Sequence, residues 1–203
     1  MIIPRHIPPA DWKGDTVAIV ASGPSVATLR ASDLAGKRVL AVAHGYKAVP
    51  NAPVLIVSGR SFFMINDLRA DYQGELIVHT KDHGDWSWLP YTDSRMVYME
   101  RAEAVGLTSR REALAGSLSS VMLAINYAVH RGVKAIDLYG CDGQPGPDGQ
   151  RRVGSAKKDS RNAFARYDQQ EIVMATQVKP LWERGIRIIN RSPGTRLVCY
   201  PTC

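Results

Sequence analysis

Short, unbroken apolar runs recur along this chain, and their form constrains the fold more than any other feature. Thr16-Val17-Ala18-Ile19-Val20-Ala21, Arg38-Val39-Leu40-Ala41-Val42-Ala43 and Ala52-Pro53-Val54-Leu55-Ile56-Val57 are β-branched-rich and do not alternate with polar residues. A strand with one wet face alternates; a strand covered on both faces reads as a continuous run. Further strands are expected at Glu75 to His79, Arg95 to Met99, Val133 to Gly140 and Ile186 to Asn190.

Helical periods separate these runs. From about Glu112 to Arg131 the residues Leu114, Leu118, Val121, Ile125 and Ala128 step by three and four, which predicts a helix closed by Gly132. Phe164, Tyr167, Met174, Val178 and Leu181 predict another, shortened or kinked at Pro180 and closed by Gly185. Strands alternating with helices imply an α/β fold: one Rossmann-like three-layer domain over residues 1–203 with a mostly parallel sheet. The 203 residues, 45% hydrophobic and 22% charged, suffice for one sizeable core. Residues 191–203 read as a surface strap.

Three cysteines, Cys141, Cys199 and Cys203, are an odd number in a chain too large to need staples. The N-terminal segment has no basic start leading into a long apolar run, and no segment reaches membrane-spanning length. A cytoplasmic protein without membrane insertion is expected. The formal net charge is +7, and residues 145 to 166 hold six basic side chains against two acidic ones. Gly143, Pro145, Gly146, Pro147, Gly149 and Gly154 make 143–158 a loop, and Arg151, Arg152, Lys157 and Lys158 make it basic. It reads either as a lid that closes on an anion or as a solvated loop. Nucleic acid is a possible acceptor on charge alone, although no DNA-binding motif is present.

In a parallel sheet, ligands bind beyond the carboxyl ends of the strands. That selects Ser22-Gly23-Pro24-Ser25, His44, and Gly140-Cys141-Asp142. Ser22 to Ser25 is neither Gly-x-Gly-x-x-Gly nor a Walker loop, yet a glycine turn feeding a helix start can receive a phosphate on its free amides. His44 titrates near neutrality and is a candidate catalytic base. Asp142 is a candidate for catalysis, for a ribose hydroxyl or for a divalent cation, or else it simply opens the Asp142-Gly143 turn. His79-Thr80-Lys81-Asp82-His83-Gly84-Asp85 matches no closed zinc spacing, and no metal site is assigned. Trp86 and Trp88 offer an aromatic platform or a lid edge.

Thr16 to Val26, Ser119-Ser120 read as the start of an apolar helix, and Gly132 to Asp142 together resemble the bacterial lipooligosaccharide sialyltransferases, with small phage and bacterial proteins of that clan, and the archaeal 6-hydroxymethyl-dihydropterin pyrophosphokinases. The resemblance implies a nucleotide across Gly23, Pro24 and Ser25, with Ser119, Ser120, Gly140 and Cys141 nearby. It implies a glycosyltransferase-like enzyme acting on a nucleotide-activated sugar, with no resident cofactor. The alternatives are Mg²⁺-dependent pyrophosphoryl transfer from ATP and a nucleotide-binding module without catalysis. The chain departs from the sialyltransferases in having no histidine after residue 142, where their lid base lies. It also carries Ala43 or His44, and then Gly59, at the polar positions after the second and third strands.

Overall fold

A computed structural model describes residues 3–58, 62–63, 68–80, 87, 89–91, 93–102, 105–116, 119–147, 149–150 and 163–202. Arg151, Arg152, Lys157, Lys158, Trp86, Trp88 and Gly59 lie outside the described residues.

Eight strands form one sheet: β1 (Thr16–Val20), β2 (Arg38–Val42), β3 (Val54–Ser58), β4 (Glu75–Thr80), β5 (Met96–Ala102), β6 (Ala113–Ala115), β7 (Ala135–Tyr139) and β8 (Arg187–Asn190). Every pairing is parallel, in the order β6-β5-β4-β3-β2-β1-β7-β8. Among the described residues the α-helices with stated bounds are α1 (Ala31–Leu34), α2 (Leu68–Asp71), α3 (Ser120–Arg131), α4 (Ala163–Ala175) and α5 (Val178–Glu183). The chain is thus a single α/β domain, a parallel sheet between two helical layers.

Strand alternation divides the core. On β1, Val17 and Ile19 face α3, with Met174 of α4 and Leu181 of α5 in the same layer. Ala18 and Val20 face the opposite layer, where Val26, Tyr46, Phe63, Leu68 and Tyr72 pack. Both sets are fully buried on β1, which is why the run shows no alternation.

Two expected elements are corrected. The helix does not begin near Glu112. Ala113–Ala115 is instead strand β6, paired with β5, and α3 begins at Ser120 behind Ser119, whose hydroxyl accepts the Val121 amide at 3.3 Å. Leu114 fits a helical period by coincidence, because a buried apolar triplet carries no period of its own. The chain then folds back: a Cβ on Gly116 would come within 2.7 Å of Leu123 Cδ2. Second, Gly23-Pro24-Ser25 opens only a 3-10 turn, Pro24–Thr28, before extended Leu29. Asp33 then accepts the Arg30 amide at 2.8 Å and starts the separate, four-residue α1.

The predicted second helix is split into α4 and α5, with Pro180 in the first turn of α5, where no amide is required. Buried Gln177, at the break, donates to the Gly106 and Met122 carbonyls at 3.0 and 3.1 Å. The C-terminal segment is more than a surface strap. Leu197 and Tyr200 are buried, and Thr202 bridges back to Asn190.

Candidate functional site

The chain runs outward from β1 to β6, then returns to the other side of β1 as β7 and continues to β8. The strand order therefore reverses between β1 and β7, where connections diverge and leave a crevice at the carboxyl ends. The two turns that meet there are Ala21 to Ser25 and Gly140 to Gly143.

They are bonded to each other. Gly23 N donates to the Gly140 carbonyl at 2.8 Å, and Ser25 N donates to Asp142 Oδ2 at 2.8 Å. Ser25 Oγ donates to the second carboxylate oxygen, Asp142 Oδ1. A Cβ on Gly23 would lie 2.7 Å from Asp142 Oδ2 and closer still to the Gly140 carbonyl oxygen. Gly140 has φ +67°, and a Cβ there would meet the Ala21 carbonyl oxygen at 2.7 Å. The glycines thus bring two backbone turns together, which is a role in the scaffold that spacing alone did not reveal.

Asp142 is 7% exposed. Burial raises its pKa above the ordinary aspartate value, and the two bonds from Ser25 oppose this. Since both its oxygens receive Ser25, Asp142 is first of all a positioning residue for the turn. Cys141 is buried, its amide donates to Ser192 Oγ at 2.8 Å, and burial pushes its thiol well above the usual range. Asn190 Nδ2 and Thr195 Oγ1 both donate to the Cys141 carbonyl, at 2.9 and 2.8 Å, so the C-terminal segment holds this turn from behind.

Above the turns is a cavity of about 260 Å³. Among the residues selected from sequence, Ser22, Gly23, Ser119, Ser120, Gly140, Cys141 and Asp142 line it. Pro24 and Ser25 do not. Pro24 packs beside Gly146, and Ser25 turns into Asp142 and borders a separate cavity of about 540 Å³ on the other side of the turn. At the end of β2 the lining residues are Val42 and Ala43; the ring of His44 is buried and packs edge-on against Phe62, 5.1 Å between centroids.

The opposite wall is α4, through Arg166, Tyr167 and Gln170. Arg166 and Gln170 share a helix face at i and i+4, a spacing visible in sequence once the helix start is known. The longer helix with its amino end in the cavity is α3. Its first residues carry the partial positive charge expected earlier of the Gly-Pro-Ser turn, whose 3-10 geometry is too short to build one.

Ala43 has φ +47°, in the left-handed region disfavoured for a residue with a Cβ. Ala43→Gly should relieve this and raise stability by about 0.5–1 kcal/mol after the extra chain entropy of glycine is subtracted. Urea unfolding measures it, and a lower midpoint would show that the Ala43 methyl contributes more than its backbone costs.

No protein-family model matches the chain, and no curated protein is detectably similar to it in sequence. Among solved structures, the sialyltransferase CstII from Campylobacter jejuni, determined in complex with the substrate analogue CMP-3FNeuAc, matches with a TM-score of 0.53. The match covers 93% of this chain and 85% of that one at 13% identity. At that identity the likeness shows a shared fold and no more: this chain has the α/β fold of that structure.

Proposed function

We propose that the chain is a nucleotide-dependent transferase, glycosyltransferase-like, acting on a nucleotide-activated sugar. The observation that carries this reading is the cavity at the β1–β7 switch point, lined together by the amino end of α3, by Arg166 of α4 and by the turns at Gly23 and Gly140. A phosphate between them meets the positive end of a helix and a cationic side chain. As the bond to the transferred group breaks, negative charge grows on that phosphate, so the same groups stabilise the transition state more than the ground state. The Tyr167 hydroxyl is a further donor on this wall. The ribose and base lie along Ser22, Gly140 and Cys141. The fold shared with a protein that binds a CMP-sugar analogue supports the reading.

Pyrophosphoryl transfer from ATP with Mg²⁺ at Asp142 is the weaker reading, because a cation there would compete with both bonds from Ser25.

Nucleotide binding should raise the melting temperature. A ligand at one hundred times its Kd adds about 2.7 kcal/mol to apparent stability by mass action. Thermal-shift measurements with CMP, UDP, CMP-3FNeuAc, UDP-glucose and ATP, each with and without Mg²⁺, separate the readings. Metal-independent stabilisation by a nucleotide sugar, lost in Arg166→Ala, supports sugar transfer. Stabilisation by ATP alone that requires Mg²⁺ favours pyrophosphoryl transfer, and no response to any of the five rejects a nucleotide site.

A further inference from the structure

The larger cavity, of about 540 Å³, lies on the reverse of the two turns. Strands β7 and β8 are joined through α4 and α5, whose buried Met174 and Leu181 pack in the α3 layer. On the opposite face, the carboxyl ends of β7 and β8 are bordered by the 3-10 turn Pro24–Thr28, by α1 and by Arg191, Ser192 and Pro193, and the cavity is between them. Gly140 lines both cavities; the other side chains of this one are outside the nucleotide site.

Two of its cations share one buried carboxylate. Asp137 of β7 is on the face away from α3, since Ile136 and Leu138 pack in the α3 layer. Lys37 Nζ donates to Asp137 Oδ2 at 2.6 Å, and Arg191 Nε faces Asp137 Oδ1 at 3.4 Å. Lys37 also donates to the Tyr139 hydroxyl at 2.8 Å, and that hydroxyl donates to the Asp33 carbonyl at 2.9 Å. The ammonium is thereby held in place. Burial opposes its charge, but the bonds to Asp137 and Tyr139 outweigh this and raise its pKa, so it is charged at neutral pH. An ammonium has three N–H donors; two are in use, and the third is left for the cavity that Lys37 lines. Arg30 and the hydroxyls of Thr28, Ser32 and Ser192 line the same recess. The carboxylate among the lining residues, Asp33, already accepts the Arg30 amide at 2.8 Å. Half-buried cations with donors to spare attract an oxyanion, and hydroxyls around them match the several oxygens of a phosphate better than the two of a carboxylate.

We propose that this recess is a second ligand site, which takes the phosphate group of a phosphorylated small molecule, with Lys37, Arg191 and Arg30 as its cationic partners. It goes beyond the nucleotide-sugar reading and does not depend on it, because it lies on the other face of the sheet. The volume is in the range of small-molecule pockets and leaves room for an organic body against Val26, Leu29 and Pro193. A polynucleotide offers the same phosphate chemistry. The side chains of Lys37 and Arg191 are only 20% and 32% exposed, however, which suits a group entering a recess rather than a strand tracking across a surface. Because Asp137 and Tyr139 hold the ammonium before any ligand arrives, little ordering is left to oppose binding.

Backbone ¹H–¹⁵N spectra, followed through titrations with inorganic phosphate and with glycerol 3-phosphate against sodium chloride at matched ionic strength, test this. Both phosphates should saturate and should move the amides of Ser25 to Asp33 and of Arg191 and Ser192. Lys37→Met, in which Arg191 still faces Asp137, should raise the midpoint at least about tenfold, the size of one lost charged hydrogen bond. Arg30→Gln changes an exposed side chain, so it should keep the parent's melting temperature while raising the midpoint at least about threefold. Arg166→Ala, on the far side of the turns, should leave this midpoint where it was. No saturable shift at these amides, a shift reproduced by chloride, or a midpoint unmoved in both Lys37→Met and Arg30→Gln overturns the site, whatever nucleotides do at α3. A short oligothymidylate that moves the same amides at lower concentration than glycerol 3-phosphate overturns the small-molecule assignment. Loss of the nucleotide response with this site intact overturns the proposed function alone.

Discussion

Gly23→Ala is expected to lower stability by about 3 kcal/mol or more and to abolish any nucleotide response. The added methyl would press on the Gly140 carbonyl and lie 2.7 Å from the Asp142 carboxylate. Neither is the free end of a flexible side chain: one is backbone at the end of β7, and the other is held by Ser25. Relief requires the two turns to separate. Overpacking alone costs about 1–3 kcal/mol, and separation also gives up the bonds from Ser25 to Asp142. Chemical denaturation measures the loss, and a variant within 1 kcal/mol of the parent would mean that the turns adjust independently and that the cavity floor is softer than described.

Asp142 gives the second large effect, and here the choice of replacement matters. Asp142→Ala leaves the Ser25 amide and hydroxyl without their partner, at a cost of about 2–3 kcal/mol. Asp142→Asn keeps both bonds, because the amide oxygen accepts the Ser25 N–H and the amide nitrogen donates to Ser25 Oγ. It should stay within about 1 kcal/mol of the parent. The pH dependence has a definite sign. With its pKa raised in the folded state by burial, Asp142 binds more protons folded than unfolded, so its contribution to stability is complete below the ordinary aspartate value. That contribution is lost as pH rises through the higher folded value. The melting temperature of Asp142→Asn relative to the parent should therefore climb with pH over this window and then level. A difference flat with pH would show that the Ser25 bonds cancel the burial, and a falling one that they outweigh it.

The sialyltransferase-like layout placed Ser119 and Ser120 at a helix start, and the structure has α3 begin there with Ser119 as its cap. The period count over the same residues extended the helix back to Glu112. Periodicity reports which residues are buried and says little about the backbone that buries them, whereas a serine before an apolar run carries cap chemistry. His44 illustrates the opposite limit. Its place at the end of β2 was legible, but the chain immediately enters a 3-10 turn, Ala43–Lys47, and the ring packs against Phe62 while Ala43 faces the cavity.

The apolar runs by themselves determined the strands and their double-sided burial, because a side chain's cost of exposure is a property of that side chain. Parallel pairing followed from the alternation of strand and helix, because a crossover helix carries the chain back to the end of the sheet where the previous strand began. Tertiary structure alone decided that Gly23 serves the Gly140 carbonyl, that Asp142 is answered by Ser25 117 positions earlier, and that Arg166 closes the cavity from a distant helix. Each of these is a close polar contact between segments far apart in the chain. Its strength depends on ångströms and on how much water is excluded, and neither is written in the spacing of residues.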